Sequence, residues 1–293
     1  MTQPLKVLVF GRSGQLARAL AALRPRPEVA FSFVGRDRFD LSTGDAGEPI
    51  RDLRPDAVIN ASGYTAVDGA ERDRTEAERL NETAPRLMAE ACIDLGIPLV
   101  HVSTDYVFDG GKYAPYTEDD PATPLNHYGA TKRAGEVAVL DSDARAAVVR
   151  TSWVFSATAQ NFLGMLLRQL DGPDEAKMVA DQHARPTYAP DLAEGVLALA
   201  LKLIEGEARA TGLFHLTGAD DATRVLMAQR VFDWARSRGR KAPAIVPVAT
   251  SAFPAAAVRP LDTRLSCQRI EAIGMTPRPW RERLDLCLRT LPA

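Results

Sequence analysis

The run Leu5-Lys6-Val7-Leu8-Val9-Phe10 leads without a break into Gly11-Arg12-Ser13-Gly14, and leucines at 16, 20 and 23 follow at helical spacing. A buried strand that turns on two glycines straight into a helix predicts a β-α unit whose turn admits close backbone approach. The rhythm repeats, with strands expected at about 28–34, 57–59, 97–102 and 146–150 and helices at 15–23, 75–95 and 128–141. Strands alternating with helices at this spacing require right-handed crossovers. The expected fold class is therefore α/β, a doubly wound parallel sheet of Rossmann type covered on both faces. After about residue 151 the rhythm weakens into proline-bearing loops, with helices at 192–204 and 225–236 and a short apolar run at 213–216.

Composition narrows the classes of function. A chain of 293 residues with 36 basic and 38 acidic side chains has a net charge of −2, so no nucleic-acid partner is expected. Cys92, Cys267 and Cys287 are odd in number and far apart, which fits reduced thiols rather than a disulfide framework or zinc site. No apolar run approaches the length of a membrane span, so no membrane partner is expected and the reading is a cytoplasmic enzyme. His101, His127, His183 and His215 show no metal-ligand spacing and are read as structural.

Three places could hold chemistry. Gly11, Arg12, Ser13, Gly14, Gln15 and Leu16, in a GxxGxxA turn at the mouth of a helix, suit a dinucleotide pyrophosphate. Gly35-Arg36-Asp37-Arg38 closes the second strand, and Arg36 there suits a 2′-phosphate, favouring NADPH over NADH. Tyr128 and Lys132 lie four apart on one helix face, where an ammonium would lower the phenol's pKa toward a working range. Thr104 stands at the end of the fourth strand, where its hydroxyl can orient a carbonyl beside that phenol. Residues 1–150 are read as the dinucleotide-binding domain and 151–293 as mainly a substrate domain, some of whose segments return to the first.

A hydroxyl, a tyrosine and a lysine at these intervals resemble the extended short-chain dehydrogenase/reductase superfamily. Asn60 to Asp68, Val102 to Gly110, Tyr128 to Lys132, Val149 to Val154, Asp181-Gln182 with Arg185-Pro186-Thr187, and Arg259-Pro260 narrow the resemblance to the dTDP-4-dehydrorhamnose reductase family. The resemblance implies NAD(P)H-dependent reduction of the 4-keto group of dTDP-6-deoxy-L-lyxo-4-hexulose to dTDP-L-rhamnose, with NADPH, or NADH, as cofactor. It implies Tyr128 as proton donor, Lys132 on the nicotinamide ribose and Thr104 on the keto oxygen. Asp105 and Trp153 would contact the sugar nucleotide, and Thr151 and Ser152 would lie near the nicotinamide. Asp40 and Leu41 would flank the adenine, and Ala61, Ser62 and Gly63 would form the loop after the third strand. A homodimer is the assembly it suggests.

The chain departs from the family pattern in several places. Ser62-Gly63 stand where two alanines are usual, Gly69 where a lysine is usual, and Arg224 where a tryptophan is common. Some relatives bind Mg²⁺ through carboxylates at a dimer interface, but Ala19 stands where a helix-one glutamate would be expected, and no metal is expected here. Two other functions fit the same residues: a 4-ketoreductase for a different deoxysugar nucleotide, and a dinucleotide-binding regulatory subunit of the methionine adenosyltransferase type.

Overall fold

Apolar side chains alternate along β1 (Leu5–Phe10) so that Val7 and Val9 enter one core and Leu8 and Phe10 another. Such burial on both faces marks a strand inside a layered α/β sheet. The computed structural model describes residues 3–157 and 160–291. From β1 the chain runs through α1 (Gln15–Ala21), β2 (Val29–Val34), α2 (Glu48–Leu53), β3 (Ala57–Asn60), α3 (Val67–Ala70) and α4 (Arg74–Glu78). It continues through α5 (Ala84–Leu95), β4 (Leu99–Thr104), α6 (His127–Leu140), β5 (Ala146–Thr151) and α7 (Phe162–Leu167). The remainder comprises β6 (Glu175–Val179), β7 (His183–Ala184), α8 (Ala189–Ile204), β8 (Gly212–His215), β9 (Ala222–Thr223), α9 (Arg224–Ser237), β10 (Ala244–Val248), α10 (Gln268–Glu271) and α11 (Trp280–Arg289).

Six strands form a parallel sheet in the order β2-β1-β3-β4-β5-β8. Strand order reverses at β1, which has β2 on one side and β3 on the other, so the glycine-rich turn opens at the point where doubly wound sheets hold their ligands. One face is covered by α1 and α8, the latter supplying Leu192, Val196, Leu199 and Leu203. The other is covered by α2 and α5, through Ile50, Met88 and Cys92. A separate core joins α7, β6, α9 and α11 around Phe155, Phe232 and Trp280. Both α8 and β8 come from beyond residue 150 and complete the first body.

The helix expected over 75–95 is interrupted. Arg79–Thr83 forms a π-helical turn between α4 and α5, and this turn buries Asn81 completely. Asn81 Nδ2 donates to the Tyr64 carbonyl and to Thr131 Oγ1, and its Oδ1 accepts from the Tyr64 amide. The extra residue in the turn is thus associated with an inward-facing amide that ties the loop after β3 to α6.

Candidate active site

A cleft of about 1390 Å³ lies along the carboxyl ends of β1 to β5. Gly11, Arg12, Ser13, Gly14, Gln15, Leu16, Arg36, Asp40, Leu41, Ala61, Ser62, Gly63, Tyr128, Lys132 and Thr151 all line it. Thr104 and Asp105 end β4, and Ser152 and Trp153 follow β5; these four lie beside the cleft rather than in its lining.

The glycine-rich turn fits a dinucleotide. Gly11 has φ +114°, a conformation L side chains rarely adopt, and a Cβ there would stand 3.1 Å from the Ala61 carbonyl oxygen. No side chain caps α1. Arg12 pairs with Asp37, and Arg36, largely exposed, lies 3.6 Å from Glu76. Asp40 turns back on its own loop, accepting from the Ser42 amide and hydroxyl, and those bonds hold its carboxyl below the usual range. Gln15 acts differently from a phosphate ligand: it donates to the Val154 carbonyl and accepts from Ser156 Oγ and Asn161 Nδ2, latching the turn to the segment after β5. Thr151 and Ser152 are likewise held by protein groups, through Thr187 Oγ1 and the Arg185 carbonyl.

Tyr128 and Lys132 are placed by how α6 docks. Asn126 caps the helix by accepting from the Gly129 amide, and a Cβ on Gly129 would overlap the Tyr106 carbonyl. That contact brings Tyr128 edge-on to Tyr106, with centroids 5.7 Å apart. Lys132 Nζ donates to the Val102 carbonyl at 2.6 Å and lies 3.5 Å from His101 Nε2. Asn60 Oδ1 is occupied by the amide and hydroxyl of Ser62, so its Nδ2 faces His101 Nδ1 at 3.0 Å. This network assigns the histidine proton to Nε2, toward the lysine. Burial keeps His101 neutral, and burial also pulls Lys132 down to about 8.

One expectation is corrected. The phenol of Tyr128 is pushed above its ordinary value, because burial penalises the phenolate and the Thr104 hydrogen bond offsets only part of that penalty. Lys132, whose ammonium donates to the Val102 carbonyl, is not among the groups that set it. Asp105 is similarly raised, to about 6, by burial, against hydrogen bonds from Thr263 and Thr104. Sequence reasoning missed Asn81 altogether and left Asn60, quoted as the start of a motif, and His101, read as structural, unconnected to Lys132, since the network forms only where β3, β4 and α6 meet. Among the described residues no cluster of three or more histidine, cysteine or acidic side chains could hold a metal, and no helix is long and apolar enough to cross a membrane.

Trp153 has φ +41°, uncommon for a bulky residue, and its ring stacks against Arg224.

Comparison with known proteins agrees with this architecture. The family model described as the RmlD substrate binding domain matches residues 5–292. The chain is 39% identical to dTDP-4-dehydrorhamnose reductase of Burkholderia thailandensis, over 98% of this chain and 99% of that one. It is 35% identical to a probable dTDP-4,6-dihydroxy-2-methyloxan-3-one 4-ketoreductase of Streptomyces antibioticus, over 96% and 93%. The crystal structure of dTDP-4-dehydrorhamnose reductase from Bacillus anthracis in complex with NADP superposes with a TM-score of 0.90 at 29% identity, covering 98% of this chain and 100% of that one. With a glycine-rich turn at the switch point, a Tyr/Lys pair across the cleft and these similarities over nearly its whole length, the chain belongs to the dTDP-4-dehydrorhamnose reductase family of NAD(P)-dependent oxidoreductases.

Proposed function

We propose that this protein reduces the 4-keto group of dTDP-6-deoxy-L-lyxo-4-hexulose to dTDP-L-rhamnose with NADPH. The observation that carries the reading is the placement of Tyr128 and Lys132 in the same cleft as the glycine-rich turn, with Thr104 at the end of β4 beside it. Gly11, Ser13 and Gly14 would admit the pyrophosphate through their backbone, Arg12 and Arg36 would meet a 2′-phosphate, and Ala61, Ser62 and Gly63 would line the path toward the nicotinamide. Hydride is what the reduced nicotinamide supplies when bound.

The rest is the work of side chains. Burial keeps the phenol protonated, the state a proton donor to the developing alkoxide needs. Thr104 Oγ1 already contacts Asp105 and the Tyr106 amide, which fixes where its hydroxyl meets the keto oxygen. Lys132, anchored on Val102, would grip the ribose hydroxyls. Trp153 and Asp105 would bound the sugar.

The test is to incubate the protein with NADPH and the keto-sugar, follow absorbance, and identify the product by NMR. Tyr128→Phe should bind NADPH as the wild type does and turn over about 100-fold or more slowly. Turnover near wild type would remove Tyr128 from the mechanism. The likeness to the Streptomyces antibioticus ketoreductase favours a second reading, reduction of a different 4-keto deoxysugar nucleotide, and a product other than rhamnose would select it. NADPH binding without reduction of any keto-sugar would instead favour the regulatory-subunit reading.

A further inference from the structure

Arg224 opens α9, and its guanidinium lies 3.5 Å from the centroid of the Trp153 ring and 4.6 Å from that of Phe162. Stacking uses the flat faces of a guanidinium and leaves its N–H donors pointing outward in the plane. Among the described residues those donors meet no acceptor: Arg224 has neither a hydrogen bond nor an ion pair. Its surroundings make this unusual. The charge is desolvated, which pulls it down to about 10, and a second cation, Arg259, is near enough to repel it.

The nearby carboxylate does not resolve this. Asp105 lies within Coulombic reach, but its two oxygens accept from Thr104 and Thr263 and take no hydrogen bond from Arg224. Arg259 is itself spoken for, forked onto Asp68 by bonds of 3.0 and 2.6 Å. The result is a set of guanidinium donors without protein acceptors beside Trp153, within Coulombic reach of Tyr106, whose ring lies edge-on to that of Tyr128. The donor atoms themselves remain accessible, so a guanidinium stacked on two rings presents them to an anion that enters beside Trp153.

We propose that Arg224 is the anion anchor of this site, its in-plane donors gripping the diphosphate of a nucleoside diphosphate sugar while Trp153 holds the guanidinium flat. This rests on the proposed reduction of a nucleotide sugar and adds to it the residue that binds the charged linker. A diphosphate matches the fork of a guanidinium, and its negative charge would also relieve the repulsion between Arg224 and Arg259.

The experiment is calorimetric titration of the wild type, Arg224→Gln and Arg224→Lys with dTDP and, separately, with thymidine, followed by steady-state kinetics on the keto-sugar. Arg224→Gln should weaken dTDP roughly 10- to 100-fold, the scale of a lost charge-assisted hydrogen bond, and leave thymidine and NADPH binding unchanged. Its KM for the keto-sugar should rise by a similar factor with kcat within about 3-fold, and Arg224→Lys should recover part of the loss. Equal dTDP affinity in wild type and Arg224→Gln overturns the proposal, as does an equal loss for dTDP and thymidine, or a wild type that binds no dTDP. Arg224-dependent dTDP binding without reduction of the keto-sugar would leave the anchor standing and overturn the proposed reaction; reduction with a KM indifferent to Arg224 would do the reverse.

Discussion

Two successive turns of α6 handle buried charge in opposite ways. Glu136 is completely buried, and both its oxygens are saturated: Oε1 accepts from Ser103 Oγ and Arg150 Nε, and Oε2 from Arg150 Nη2 and Arg133 Nη1. One turn earlier, Lys132 is 5% exposed and has no carboxylate partner among the described residues, only a carbonyl and a neutral imidazole. The saturated pair behaves as structure, locking α6 to β4 and β5. The poorly compensated lysine sits in the cleft, where an undercompensated charge is retained for chemistry. Helical spacing alone cannot separate the two, because positions 128, 132 and 136 share one face.

The largest effect should come from breaking the saturated pair. Glu136→Leu leaves Arg150 buried without its counter-charge and should cost about 3–5 kcal/mol, lowering Tm by roughly 10 °C, whereas adding Arg150→Met should restore most of the loss. A single variant melting within a degree or two of wild type would break the comparison. Next comes Lys132→Met, expected to cut turnover by roughly 100-fold while Tm at pH 7 moves by only a few degrees. Its pH dependence sharpens the point. Lys132 at about 8 lies below its ordinary 10.5, so the unfolded chain binds the extra proton between those values and wild-type stability rises across that window. The methionine variant should lack that rise in thermal melts taken from pH 8 to 10.5. The smallest effect belongs to Asp105→Asn. A carboxyl raised from 3.8 to about 6 contributes full stability below the lower value and loses it as pH climbs through the higher one. The variant should therefore gain about 2–4 °C on wild type between pH 4 and 6 and keep that margin above it. A margin that does not change with pH would show that Asp105 does not titrate there.

What the sequence revealed follows from how local each feature is. The strand, glycine turn and helix at residues 5–21 and the Tyr128/Lys132 pair are encoded within a few residues of each other, and both stand where periodicity placed them. Asn81 was invisible because its value depends on a π-helical turn and on partners at Tyr64 and Thr131. The neutral His101 between Asn60 and Lys132 needs two strands and a helix in register before it exists as a network. Arg224 could be noted as a departure from family pattern, but only the packing of α9 against the loop after β5 shows that its faces are used and its edges are not. The phenol's raised pKa was misjudged for a similar reason: spacing gives the distance to a lysine but not the burial that outweighs it.

The sixth strand has a consequence for how such a chain comes into being. β5 pairs on its outer side with Gly212–His215, and the sheet face under α8 stays bare until residues 189–204 are made. A growing chain that has finished β5 on the ribosome therefore presents an open sheet edge and an uncovered apolar surface, both templates for wrong partners. The half that appears self-sufficient in sequence cannot close by itself. Its folding must wait for contacts distant in the chain, which makes synthesis order, as much as final stability, a factor in how much of this protein a cell obtains.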